Sequence, residues 1–144
     1  MRTNQFQMRV HWGDTDAAGI VFYPNYFKWF DIASHHFFRT IGYPIPRLAK
    51  EMNVVTPLLE VKCNFEHPLV NEDIITIRTT VDELKTKTFK FIHEVYRGDE
   101  RAGHGYEVRA WVLQENNGMK AAPIPEEIRA LLEADEITES RELP

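Results

Sequence analysis

Hydrophobic and polar residues alternate over residues 5–12. Phe6, Met8, Val10 and Trp12 share one face; Gln5, Gln7, Arg9 and His11 share the other. A period of two is that of a half-buried strand. Over residues 24–41 the period becomes three to four. Tyr26, Phe30, Ala33, Phe37 and Ile41 recur on one arc, widened by Phe27, Trp29 and Phe38. Lys28, Asp31, His35 and Arg39 form a narrow opposing stripe. This predicts a long helix buried over most of its circumference. Pro24 suits its first turn, and Gly42, Pro44 and Pro46 stop it.

A short second helix is predicted over 46–52, then four extended segments at 56–66, 73–84, 86–96 and 105–114. In the first, Leu59, Val61, Cys63 and Phe65 share a face; in the second, Ile75, Ile77, Thr79 and Val81; in the third, Phe89, Phe91, His93 and Val95. In the fourth, Trp111 and Leu113 lie opposite Val108, Ala110 and Val112. Short connections at 84–86 and 97–100, and the turn signal Asn117-Gly118, suit antiparallel neighbours. Residues 124–127 open a last short helix with acids in its first turn, and the charged stretch after Ala134 is expected to fray. No alternation of strands and helices of the kind that builds a parallel sheet is present. The predicted fold class is α+β: an antiparallel sheet curled around one long central helix, as a single domain over residues 1–144.

Composition narrows the function classes. Hydrophobic residues make up 43% of the 144, which marks a globular chain. A net charge of −5 argues against a general nucleic-acid partner. Cys63 is the only cysteine, so no internal disulfide or cysteine-based metal cluster can form, and a reducing compartment suits it. No charged-then-apolar leader and no apolar run of bilayer length are present, so no membrane partner and a cytoplasmic location are expected. The histidines show no metal-ligand spacing, Ser34 and Ser140 lie outside any Gly-x-Ser-x-Gly, and no phosphate-binding glycine loop occurs.

The candidate chemistry lies between the first strand and the helix. Asp14 and Asp16 precede a small-residue turn, Ala17-Ala18-Gly19, and an apolar run, Ile20-Val21-Phe22-Tyr23, that leads into the helix. Acids here serve either as turn formers and caps or as reactive groups. The two acids are expected to have different roles. An acid beside the free N–H groups of a helix N-terminus could attack and polarise a carbonyl.

The run Gly13-Asp14-Thr15-Asp16-x-x-Gly19-Ile20-Val21-Phe22-Tyr23-Pro24-Asn25-Tyr26 resembles the 4-hydroxybenzoyl-CoA thioesterase family of hotdog-fold enzymes. The likeness extends over roughly residues 6–125 and is densest over 13–42. It implies a hotdog fold, with the sheet wrapped around the helix, and an acyl-CoA thioesterase that needs no cofactor or metal. The acyl-CoA is its substrate. It makes Asp16 the essential carboxylate and Asp14 structural, and it assigns the backbone N–H of Tyr23 to the thioester oxygen. Asp16 would attack the carbonyl and form an acyl-aspartyl anhydride, or act as base towards water. An ordinary aspartate pKa of about 3.9 favours attack. Phe22, Asp31 and Thr56 correspond to substrate-lining positions, with Asp31 facing a hydroxyl on the substrate ring across a subunit interface. Spacing alone makes Asp31 an i,i+4 partner of His35. Lys85, Thr86 and Lys87 stand where the family carries a basic cluster for the phosphates of CoA. Thr86 departs from a fully basic triplet, and 44–46 lacks a tryptophan that some relatives carry. Pro24 after Tyr23 resembles the branch acting on aromatic, hydroxybenzoyl-type acyl groups, where the short-chain aliphatic branch often has histidine. Relatives form dimers and then tetramers with sites at subunit interfaces, so a homotetramer is expected. The rivals are a short-chain aliphatic acyl-CoA thioesterase, a hotdog hydratase or dehydratase using His35 or His36, and a non-catalytic CoA-binding protein.

Overall fold

The computed structural model describes residues 1–142. The first alternating segment forms β1 (Thr3–Arg9), with Phe6 and Met8 turned inward. The chain leaves the strand earlier than predicted: Trp12 opens a 3₁₀ turn (Trp12–Asp14) and is 79% exposed. The aromatic arc forms α1 (Asn25–Thr40), and Pro44 leads into α2 (Ile45–Met52). Then come β2 (Val54–Val55), β3 (Leu58–Phe65), β4 (Ile74–Leu84), β5 (Thr88–Arg97) and β6 (Glu100–Ala110). The chain ends with β7 (Val112–Glu115), β8 (Gly118–Ala121), α3 (Glu126–Glu133) and β9 (Ile137–Glu142). The predicted fourth segment is thus two strands. β6 belongs to the main sheet, and β7 turns away to pair with β2 and β8.

The main sheet has six strands in the order β3-β6-β5-β4-β1-β9 and wraps around α1, the hotdog arrangement. Its pairs are antiparallel except one. β9 runs parallel to β1, from Thr3↔Ile137 to Met8↔Glu142. The expected fraying tail is therefore a strand, and the sheet is mixed. Without β9 the outer edge of β1 would present a row of unpaired N–H and C=O groups. Asn4 reinforces the join, donating from Nδ2 to Ser140 Oγ at 3.1 Å and accepting from Thr138 Oγ1 at 2.8 Å.

The core has two halves along α1. Tyr26, Trp29, Phe30 and Ala33 pack on Phe6, Met8, Ile75, Ile77 and Val95. Phe37 and Phe38 pack on Val81, Phe89, Phe91 and Trp111, with Ile128 and Leu132 of α3 closing that end. The inward faces predicted for β4 and β5 are buried as expected. β3, an edge strand, is buried only in part: Val61 and Cys63 pack against the core, while Leu59 is 60% and Phe65 49% exposed. β3 lies so close to β6 that a Cβ on Gly105 would fall 1.8 Å from the Lys62 carbonyl oxygen. The inward face of β6 also carries charge, Glu107 and Arg109, beneath the middle of α1.

Candidate active site

Gly13 to Tyr23 folds as a small hairpin between β1 and α1. Thr15 and Val21 form its bridge, Asp16 N–H donates to Ile20 O at 2.9 Å, and Gly19 N–H donates to Asp16 O at 2.9 Å. Gly19 takes φ +80°, which glycine adopts without steric cost. Val21 N–H donates to Leu69 O at 2.9 Å and ties the hairpin to the approach to β4.

The two acids have separate tasks. Asp14 is half-buried; its Oδ2 accepts the His11 N–H at 2.8 Å, and its carbonyl accepts the Phe22 N–H and Asn25 Nδ2, both at 2.8 Å. It joins the turn to the start of α1. Asp16 is exposed at the hairpin tip. Its Oδ1 accepts the Ala18 N–H at 2.9 Å, and among the described residues its Oδ2 has no partner.

At the helix entrance the Asn25 and Tyr26 N–H groups are bonded to the carbonyls of Phe22 and Tyr23. The Tyr23 N–H has no partner among the described residues. Tyr23 immediately precedes the N-cap of α1, where the helix carries partial positive charge. The Tyr23 ring lies edge-on to Phe22 and Phe65, and an apolar cavity of about 410 Å³ opens beside it, lined by Ile20, Val21, Tyr26, Phe65 and Leu69. Asp16 and Tyr23 thus belong to one hairpin at the N-terminal end of α1.

Asp31 lies further along the helix, half-exposed. The predicted His35 pair exists at 3.8 Å, but a closer partner is Arg109, whose Nη2 donates to Asp31 Oδ1 at 2.9 Å. Arg109 Nη1 donates to the Thr56 carbonyl at 2.9 Å, so Asp31 and Thr56 are brought together through it. Behind Arg109 is a buried network that the strand patterning passed over. Glu107 accepts from Arg109 Nη2 at 2.6 Å and from His93 Nε2 at 2.8 Å, and Ser34 Oγ donates to it; His93 Nδ1 meets Thr79 Oγ1 at 2.7 Å. Burial alone would push the Glu107 carboxyl up. The hydrogen bond and charge of His93, the charge of Arg109 and the Ser34 hydroxyl outweigh it and bring it down to about 2. The available sequence signal was two charges, Glu107 and Arg109, at the alternate positions of a strand face that also holds Gly105. Ser34, His93 and Glu107 are 2%, 0% and 1% exposed, which closes this Ser-His-Glu set to any substrate carbonyl.

Lys85, Thr86 and Lys87 form the exposed turn between β4 and β5. Arg129 Nη2 holds it by donating to Lys85 O at 2.6 Å, and Ile124 N–H donates to Thr86 O at 2.9 Å. The residues on either side of this turn, Leu84 and Phe89, belong to the half of the core that holds Phe37 and Phe38 of α1. The 16-residue helix, about 24 Å at 1.5 Å per residue, separates the turn from Asp16 and Tyr23. One chain does not bring the basic turn to the acid. Cys63 is half-buried on β3, and burial, with Glu66 adding to it, pushes its thiol up to about 12, so it is no nucleophile at neutral pH. Among the described residues no cluster of His, Cys, Asp and Glu could hold a metal, and no helix is long and apolar enough to cross a membrane.

Known proteins of this shape place the geometry in context. The thioesterase-like superfamily matches the chain over residues 10–132. The 4-hydroxybenzoyl-CoA thioesterase of Pseudomonas sp. strain CBS-3 is 32% identical over 131 residues, 86% of this chain and 93% of that protein. A crystal structure of a 4-hydroxybenzoyl-CoA thioesterase mutant complexed with 4-hydroxybenzoyl-CoA superposes with a TM-score of 0.85 at 30% identity, covering 92% of this chain and 99% of that one. A gentisyl-coenzyme A thioesterase superposes with a TM-score of 0.80 at 39% identity, covering 90% and 99%.

Proposed function

Because the chain belongs to the thioesterase-like superfamily and is an acyl-CoA thioester hydrolase, we propose that it cleaves an aromatic, hydroxybenzoyl-type acyl-CoA to the free acid and CoA. One observation carries this reading: Asp16 Oδ2 and the Tyr23 N–H, both without a partner among the described residues, belong to one hairpin whose Ile20, Val21 and Tyr23 line an apolar cavity. The named activities of the relatives on 4-hydroxybenzoyl- and gentisyl-CoA support an aryl group.

The thioester oxygen accepts the Tyr23 N–H, which stabilises the negative charge that develops there. Asp16 attacks the carbonyl carbon, the C–S bond breaks, and CoA leaves as the thiolate. Water then opens the acyl-aspartyl anhydride to the acid and returns the carboxylate. In the alternative, Asp16 takes a proton from water as that water attacks. Phe22 and Thr56 line the acyl site, and Asp31 accepts a ring hydroxyl. Lys85, Thr86 and Lys87 take the phosphates of CoA. Their distance from Asp16 within one chain supports a site completed by a second copy, and the exposed edge of β3 supports pairing of copies into a homotetramer. A cytoplasmic location accords with a single cysteine and no disulfide.

Thiol release from a panel of aryl- and short-chain acyl-CoAs tests the reading. Asp16→Asn should lower kcat at least about a thousandfold, with KM little changed. Release that survives the substitution would remove Asp16 from the chemistry. Water addition to an enoyl-CoA would point to a hydratase, and no turnover of any thioester to a binding protein.

A further inference from the structure

A carboxylate on an exposed helix stripe ordinarily samples several rotamers. Asp31 is held. Its Oδ1 is engaged by Arg109, a residue only 8% exposed that reaches out from the inward face of β6. The second terminal nitrogen, Nη1, donates to the Thr56 carbonyl. Behind it stand Glu107, His93, Ser34 and Thr79, each hydrogen-bonded and closed to solvent. This gives Arg109 an immobile base. Its Nε is buried with no hydrogen-bond partner among the described residues. An unused buried donor is a poor choice if only charge balance for Glu107 were required, since His93 already faces that carboxylate. A planar fork is what bridging Asp31 and the Thr56 carbonyl at once demands, and lysine cannot supply it.

With Oδ1 occupied, Asp31 Oδ2 has no partner among the described residues. An ionised carboxylate only accepts hydrogen bonds, so the group it reads must be a donor. We infer that Arg109 is a positioning residue for the acyl site: it locks Asp31 against Thr56 and so sets the preference for a hydroxylated over an unsubstituted ring. This rests on the role proposed for Asp31.

The test compares kcat/KM for benzoyl-CoA and the 2-, 3- and 4-hydroxybenzoyl-CoAs in the wild type, Arg109→Lys, Asp31→Asn and the double variant. Arg109→Lys keeps a positive charge against Glu107 and removes the fork. The wild type should prefer at least one hydroxylated ring. Arg109→Lys should reduce that preference about tenfold, mainly through KM, consistent with the loss of a hydrogen bond to a charged group. Benzoyl-CoA turnover should fall several-fold less than that of the hydroxylated rings, a split that general damage to the fold would not produce. Adding Asp31→Asn should change little more, because the two act as one unit. An equal fall for hydroxylated and unsubstituted rings would make Arg109 purely structural and overturn the inference. A wild type without preference would overturn it while leaving the thioesterase reading intact. Failure on every aryl-CoA would instead remove the aryl reading, and the inference with it. Should Arg109→Lys not fold, the pair Arg109→Gln with Glu107→Gln removes both buried charges together and is judged by the same outcomes.

Discussion

Asp14 and Asp16 are two positions apart, and their surroundings divide them. Asp14 spends its carboxylate and carbonyl on the turn and the helix entrance; Asp16 keeps an oxygen free at the surface. Strand alternation does not account for that division, because Asp14 lies in the 3₁₀ turn and Asp16 in the hairpin; the family likeness implies Asp16 as the reacting acid. Arg109 was not legible, because its partners Thr56 and Asp31 lie 53 and 78 positions away and only the folded sheet brings them together. Glu107 yields a test at this scale. In the folded protein burial raises its pKa and its partners lower it further, to about 2, against an ordinary value of 4.5. The unfolded chain therefore binds the proton first as pH falls. The stability from the charged form is fully present above about 4.5 and is lost as pH falls towards about 2, on the order of 3 kcal/mol. Urea unfolding at pH 5 and pH 3 should show this decline, and Glu107→Gln should flatten it. An unchanged slope in the variant would mean that other carboxylates govern acid unfolding.

Long, strongly periodic elements are the ones that were readable. α1, β4 and β5 carry their burial pattern in their own residues. β9 does not: only two of its six residues are even half-buried, and its partner β1 lies at the other end of the chain. Pairing of this kind is dictated by an open edge and leaves little hydrophobic signature. β3 departed in the opposite sense: its apolar face suggests burial throughout, but only Val61 and Cys63 are half-buried, and Leu59 and Phe65 are exposed. The contact of β3 with β6 depends on Gly105. Gly105→Ala would push a methyl into the Lys62 carbonyl, whose backbone cannot yield without breaking the ladder. A destabilisation of about 2–3 kcal/mol or more is expected in chemical denaturation. A variant as stable as the wild type would show that β3 can shift freely.

In the whole molecule the proposed parts lie at different stations along α1. The acid and the free amide stand at its N-terminus, Asp31 with Arg109 near its middle, and the basic turn at its far end. The family likeness pointed to the hairpin, Asp31 and the basic turn but not to Arg109, and no reading of the sequence could measure the separation between them, which is what makes a second copy of the chain part of the proposed site. All of this depends on Asp16 and the Tyr23 N–H addressing one carbonyl. The most direct measurement is a crystal structure of the Asp16→Asn protein with uncleaved 4-hydroxybenzoyl-CoA. It should show the thioester oxygen within hydrogen-bond distance of Tyr23 N, about 3 Å, and the side chain at position 16 against the carbonyl carbon. A thioester bound with its carbonyl away from Tyr23 and position 16 would contradict the account.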